Sequence, residues 1–143
     1  MSRRAVWEAL FGARPAEPRP GPDAAEPLDL TKITATLGRN MDRLDGDFGA
    51  EAIRTLGNPV PMLVENSGTE LLELWLEPFG QDYWLRPGEA FLVTSYGSWD
   101  DRPFEIAHEP DRIQIWASSC FATVTFRDGT EVPGGHQRPR EEY

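Results

Sequence analysis

Residues 70–96 read ELLELWLEPFGQDYWLRPGEAFLVTSY, and this run restricts the possible folds more than any other stretch. Leu72, Leu74 and Leu76 alternate with Glu73, Trp75 and Glu77, a period of two that a pleated strand satisfies and a helix does not. Pro78-Phe79-Gly80 and Pro87-Gly88-Glu89 then interrupt the pattern with residues that favour chain reversal. Strands are predicted at 60–65, 71–77, 82–86, 91–96, 104–108, 112–118 and 121–127. Asn66-Ser67-Gly68, Glu109-Pro110-Asp111 and Asp128-Gly129 supply further turns. A second alternating run sets Ile113, Ile115 and Ala117 against Gln114, Trp116 and Ser118, so the aliphatic rows are expected to face inward. Short strands at close, even spacing imply a mainly β chain: an antiparallel β-sandwich or a jelly-roll, cupin-like barrel with short N-terminal helices.

Ahead of the strands the organisation is modular. Residues 1–12 suit a short amphipathic helix in which Val6 and Leu10, and Trp7 and Phe11, stack at i,i+4, with Ser2 as cap and Gly12 as stop. Residues 13–28 contain five prolines and read as an extended linker. Residues 29–57 read as a short helical segment. In its first helix Leu30, Ile33 and Leu37 share a face between Asp29 as cap and Gly38 as terminator, and a second helix covers 50–56. The β-domain is expected over 58–133 and a mobile tail over 134–143. Val6, Trp7, Leu10 and Phe11 form a candidate partner-binding surface, a tethered helix able to enter a groove. The competing expectation is that the arm docks on its own β-domain.

The charge balance excludes some partners. Twenty-four acidic and fourteen basic residues give a formal charge of −10, a field that repels nucleic acid and anionic membrane surfaces, and no basic patch offsets it. Cys120 is the single cysteine, which excludes an intramolecular disulfide and suits a reducing cytoplasm. Arg3-Arg4 near the start is followed by Glu8 and then prolines, with no apolar run of the kind an export signal needs.

Three constellations are candidates for chemistry. Trp75, Trp84 and Trp116 with Glu73 and Glu77 have the composition of a sugar-binding platform, in which rings stack on a pyranose and carboxylates accept its hydroxyl protons. The ordinary alternative is aromatic packing on a small sheet. Glu73 and Glu77 also flank Trp75 as a glycosidase pair would. However, four residues along a strand span roughly 13 Å, beyond a retaining pair and at the limit for an inverting one. His108 and Cys120 offer a nucleophile and a base if neighbouring strands bring them together. Asp42, Asp45 and Asp47 around Gly46 are spaced three and then two apart, which departs from a calcium loop and reads as a solvated turn. No cofactor and no metal are expected.

The stretch from about Val64 to Arg127 resembles a group of small bacterial hypothetical proteins with a cupin-like or jelly-roll β-fold. The resemblance rests on the Val-Glu-Asn-Ser-Gly turn, the Leu-Trp-Leu-Glu-Pro strand end, the Tyr-Trp-Leu-Arg-Pro-Gly-Glu corner and the final Phe-Arg-Asp-Gly. It covers a little under half of the chain and implies a fold rather than a reaction. Gly80 with Pro87-Gly88 is similar to the glycine-proline-glycine corner of metal-binding cupins. Those proteins hold their metal with two closely spaced histidines, a carboxylate and a later histidine, whereas this chain has only His108 and His136. The resemblance therefore implies a cupin-like shell lacking that metal centre. Together these readings favour a non-catalytic protein-binding or assembly module, a partner protein or a homo-oligomer. A small-ligand or carbohydrate-binding jelly roll is second, and a metal-free cupin-like enzyme using Glu73, Glu77 or His108 is third.

Overall fold

The computed structural model describes residues 30–135. The expectations for the arm, with Val6, Trp7, Leu10 and Phe11, for the linker and for most of the tail lie outside the described residues. The chain divides into two compact units, Met1–Ala35 and Thr36–Tyr143. Of the first, the described residues 30–35 form the opening turns of a helix.

Among the described residues two helices precede the strands, α1 (Leu30–Asp42) and α2 (Ala50–Arg54). The expected stop at Gly38 does not occur, and α1 runs on to Asp42. A helix-interior glycine costs only about 1 kcal/mol, and the residues beyond it are held by tertiary contacts: Asn40 is fully buried and Met41 packs on an apolar cluster. Helix α2 ends two residues before the expected Leu56, and the chain turns away through Gly57 (φ 70°) and Asn58 (φ 53°).

All seven predicted strands are present: β1 (Val60–Glu65), β2 (Leu72–Glu77), β3 (Gln81–Leu85), β4 (Ala90–Ser95), β5 (Phe104–Glu109), β6 (Arg112–Ala117) and β7 (Ala122–Thr125). They form two separate sheets, one of three strands in the order β1-β4-β7 and one of four in the order β3-β2-β6-β5. The barrel alternative fails, because among the described residues no ladder closes the sheets into a ring. Fully antiparallel pairing fails too: β2 and β6 run parallel, with Leu74 opposite Ile113 and Leu76 opposite Ile115.

The aliphatic rows do point inward. Leu74, Leu76, Leu85, Ile113 and Ile115 from the four-stranded sheet join Phe91, Val93 and Val124 from the three-stranded sheet in one buried cluster. At roughly 1.5–3 kcal/mol per buried large apolar side chain, this cluster is the main source of stability. A second cluster joins Leu44, Ile53 and Leu56 of the helical region to Cys120 and Phe121 at the start of β7, with Leu37, Met41 and Tyr96 against it. It fixes the helical region against the turn that carries Cys120.

Candidate functional site

The four-stranded sheet gathers the predicted ligand residues on its outward face. Its register places Trp84, Glu73, Arg112 and Glu109 in one row across the strands, Asp82, Trp75, Gln114 and Ala107 in the next, and Glu77, Trp116 and Glu105 in the third. Trp75, Trp84, Trp116, Glu73 and Glu77 thus share one surface.

The detailed contacts resemble packing more than an open platform. The Trp75 indole Nε1–H donates to Glu73 Oε2 at 3.2 Å, and the Arg112 guanidinium sits 5.9 Å from the centre of the Trp75 ring, within cation–π range. Arg112 Nε in turn donates to Glu109 Oε2 at 3.0 Å. In the third row Trp116 is 5% exposed and Glu77 6% exposed, so neither presents a face to solvent. Glu77 Oε1 accepts from Gln114 Nε2 at 3.2 Å. Trp84 and Asp82 are approached by Gly135 so closely that a Cβ there would lie 2.6 Å from Trp84 Nε1.

His108 and Cys120 are not brought together. His108 pairs with Ile113 beside the turn that joins β5 to β6, and Cys120 follows Ala117 at the other end of the same hairpin. Cys120 is 2% exposed, and burial pushes its thiol up from 9.0 to about 12. A thiol in that state is almost wholly protonated at neutral pH and is a poor nucleophile. No group of three or more His, Cys, Asp or Glu among the described residues is placed to hold a metal ion. In the acidic turn after α1, Asp47 Oδ1 accepts the Gly49 N–H at 2.9 Å, the local bond expected of an aspartate in a turn.

A concave feature of the second unit is a cleft of about 110 Å³ lined by Phe48, Ile53, Leu76, Glu77, Phe79, Gln81, Cys120, Phe121 and Ala122. Local sequence explains its walls. Gly80 (φ 71°) completes the reversal from β2 to β3 and leaves Phe79 at the tip of the turn, 45% exposed. Phe48 lies in the Asp47-Phe48-Gly49 turn, 51% exposed. Phe121 forms the floor at 2% exposure, held where Ser119 Oγ both donates to the Phe121 carbonyl (3.0 Å) and accepts its N–H (3.2 Å). The rings of Phe48 and Phe79 approach that of Phe121, at centroid separations of 6.1 Å, stacked, and 5.6 Å, tilted. The result is an aromatic slot with an inert thiol at its base and the polar groups of Glu77 and Gln81 on one wall.

Sequence reasoning misses most of this slot. It gives Phe48, Ile53, Gln81, Phe121 and Ala122 no part in a binding site and places Glu77 on the sheet face alone. A detectable signal exists at Phe48: a large aromatic flanked by Asp and Gly in a polar turn has no core to enter locally. No protein-family model matches the chain, and no match was found among curated proteins or solved structures.

Proposed function

We propose that this chain is a non-catalytic protein-binding module, a two-layer β-sandwich of the jelly-roll type whose cleft receives an apolar anchor side chain of a partner protein. The observation that carries this reading is the slot itself, with Phe48 and Phe79 about half exposed above a buried Phe121. Large apolar rings in a concave site are characteristic of the few positions that dominate a protein interface. The volume is of the order that admits one ring, since an apolar cavity of about 150 Å³ takes up benzene. A carboxylate and an amide on the wall provide acceptors for an N–H on the incoming group, which favours a tryptophan anchor. The buried, protonated thiol argues for recognition rather than reaction. The N-terminal segment with Val6, Trp7, Leu10 and Phe11 is read as a second contact that serves a partner.

Titration with N-acetyl-tryptophanamide, followed by amide and methyl chemical shifts, tests the cleft. Perturbations clustered at Ile53, Phe121 and Ala122 are expected; uniform or absent perturbation refutes the anchor reading. Removing residues 1–12 tests the arm. A partner-serving arm leaves the melting temperature unchanged, and a fall in melting temperature rules that role out.

A second reading has narrower support, because the register sets Trp75 and Trp84 beside Glu73 on the face under which Trp116 and Glu77 are buried. A carbohydrate or other small ligand stacking there would change tryptophan emission, so titration against soluble oligosaccharides decides it. Lack of any response removes that reading.

A further inference from the structure

Strand β5 is an outer edge of the four-stranded sheet among the described residues, and we infer that it is a homodimerisation edge, pairing antiparallel with β5 of a second copy about a two-fold axis through Ile106. Two of the other edges carry obstacles. Strand β1 contains Pro61, which has no N–H to offer. Strand β7 is followed by a return segment in which Val132 N donates to the Val124 carbonyl at 3.0 Å and Phe126 N to the Thr130 carbonyl at 2.8 Å. Strand β5 has no proline and no bulge, two of the usual protections of an edge, its charges are confined to Glu105 and Glu109, and it pairs only with β6 among the described residues. Its central Ile106 is 51% exposed, although it lies on the face whose partner Ile115 is fully buried.

Backbone direction follows from the ladder. Ser118 N donates to the Pro103 carbonyl at 2.9 Å, so position 103 turns toward β6. In an antiparallel strand each residue directs its N–H and C=O the same way, and successive residues alternate. Glu105, Ala107 and Glu109 therefore bond β6, while Phe104, Ile106 and His108 direct their backbone groups to the open edge.

Charge then selects the register. An axis through Glu105 opposes two Glu105 carboxylates, and an axis through Ala107 opposes Glu105 to Glu109; both place like charges together and are disfavoured. An axis through Ile106 opposes Ile106 to itself, Phe104 to His108 and Glu105 to Ala107, and no carboxylate faces another. That register forms three outward pairs with two backbone bonds each, covers the exposed Ile106 and merges two four-stranded sheets into one of eight strands. Such a contact is isologous and closes on itself. This inference does not depend on the cleft, whose lining residues are on other elements.

Sedimentation of the full chain across the micromolar range tests it, with a dimer expected. Ile106→Arg opposes two guanidinium groups at the axis and is expected to weaken self-association at least tenfold with an unchanged far-ultraviolet circular dichroism spectrum. Ile106→Cys tests the register directly, because residues opposed in a hydrogen-bonded antiparallel pair lie about 5.5 Å apart at Cα, within disulfide reach. Mild oxidation of that variant should yield a covalent dimer while the buried Cys120 stays reduced. A wild-type chain that is monomeric throughout, a dimer that survives Ile106→Arg, or an Ile106→Cys variant that does not cross-link would each overturn the inference.

Discussion

Gly97 lies directly against the carboxamide of Asn40: a Cβ on Gly97 would come within 2.8 Å of Asn40 Oδ1. Asn40 is fully buried and every polar valence of its side chain is used. Nδ2 donates to the carbonyls of Ser98 and Ser119, both at 2.9 Å, and Oδ1 accepts from Ser98 N and Ser98 Oγ, both at 3.0 Å. One amide therefore ties α1 to the loop after β4 and to the turn before β7. Asn40→Ala strands buried groups on both loops and is expected to cost about 2–4 kcal/mol in urea unfolding. Gly97→Ala is expected to cost a comparable amount, since φ is 93° and the added methyl meets the carboxamide. Because Asn40→Ala removes the atoms that Gly97→Ala strikes, the double variant should lose less than the sum of the two. Strict additivity would show that the two residues do not act on one another.

Alkaline conditions should expose the energetic cost of ionising Cys120 in the second apolar cluster and Tyr83 against the first. Burial raises Cys120 from 9.0 to about 12. Tyr83 rises from 10.0 to about 12, chiefly through burial and then through the nearby Glu131 and Asp82 charges. Both groups hold their protons more tightly when folded, so their contribution is complete below pH 9 and is lost as pH rises toward 12. At 1.36 kcal/mol per unit, the thiol's share is about 4 kcal/mol. Urea unfolding should show stability falling across this window, with Cys120→Ala making the fall shallower between pH 9 and 10. Iodoacetamide at pH 8 should leave the native thiol unmodified and label it after unfolding; rapid native labelling would contradict the burial argument.

On the outer face, Arg112 covers the Trp75 ring and is itself about half exposed, with a side-chain exposure of 45%. Exposed cation–π pairs contribute about 0.5–1 kcal/mol, and surface ion pairs such as Arg112–Glu109 about as little. Arg112→Ala should therefore cost no more than about 1 kcal/mol and shift tryptophan emission to longer wavelength. Trp75→Phe in the same background should abolish that shift. If the face binds sugars, uncovering the ring should strengthen the oligosaccharide response; no response in either protein points to packing.

The parts of the fold that were legible in sequence are those governed by local rules. Alternation in Leu72–Glu77 and Arg112–Ala117 identified strands and their inward faces, and turn residues such as Gly80 and Gly129 marked the reversals. Pairing between distant strands was not legible. Strands β2 and β6 are separated by three others, and nothing local distinguishes a parallel neighbour from an antiparallel one. The persistence of α1 through Gly38 depended on Asn40 finding Ser98 and Ser119, contacts that no window of sequence contains. The aromatic slot was hidden for the same reason, since Phe48, Phe79 and Phe121 come from three turns that meet only after the sheets form.

Within the slot, rim and floor should separate recognition from stability. Phe79 is 45% exposed, so Phe79→Ala removes about half of the surface that a fully buried ring would lose and should cost about 1–2 kcal/mol. It should nevertheless reduce affinity for N-acetyl-tryptophanamide at least tenfold, because the incoming ring loses one wall. Phe121 is 2% exposed and packs under both rim rings, so Phe121→Ala should cost about 3–5 kcal/mol. Ala122→Phe fills the slot from its side and should block the probe while the far-ultraviolet spectrum stays native. Unfolding curves and shift titrations on the three variants provide the check. If Phe79→Ala binds the probe as the parent does, the exposed ring is a surface accident and the anchor reading fails.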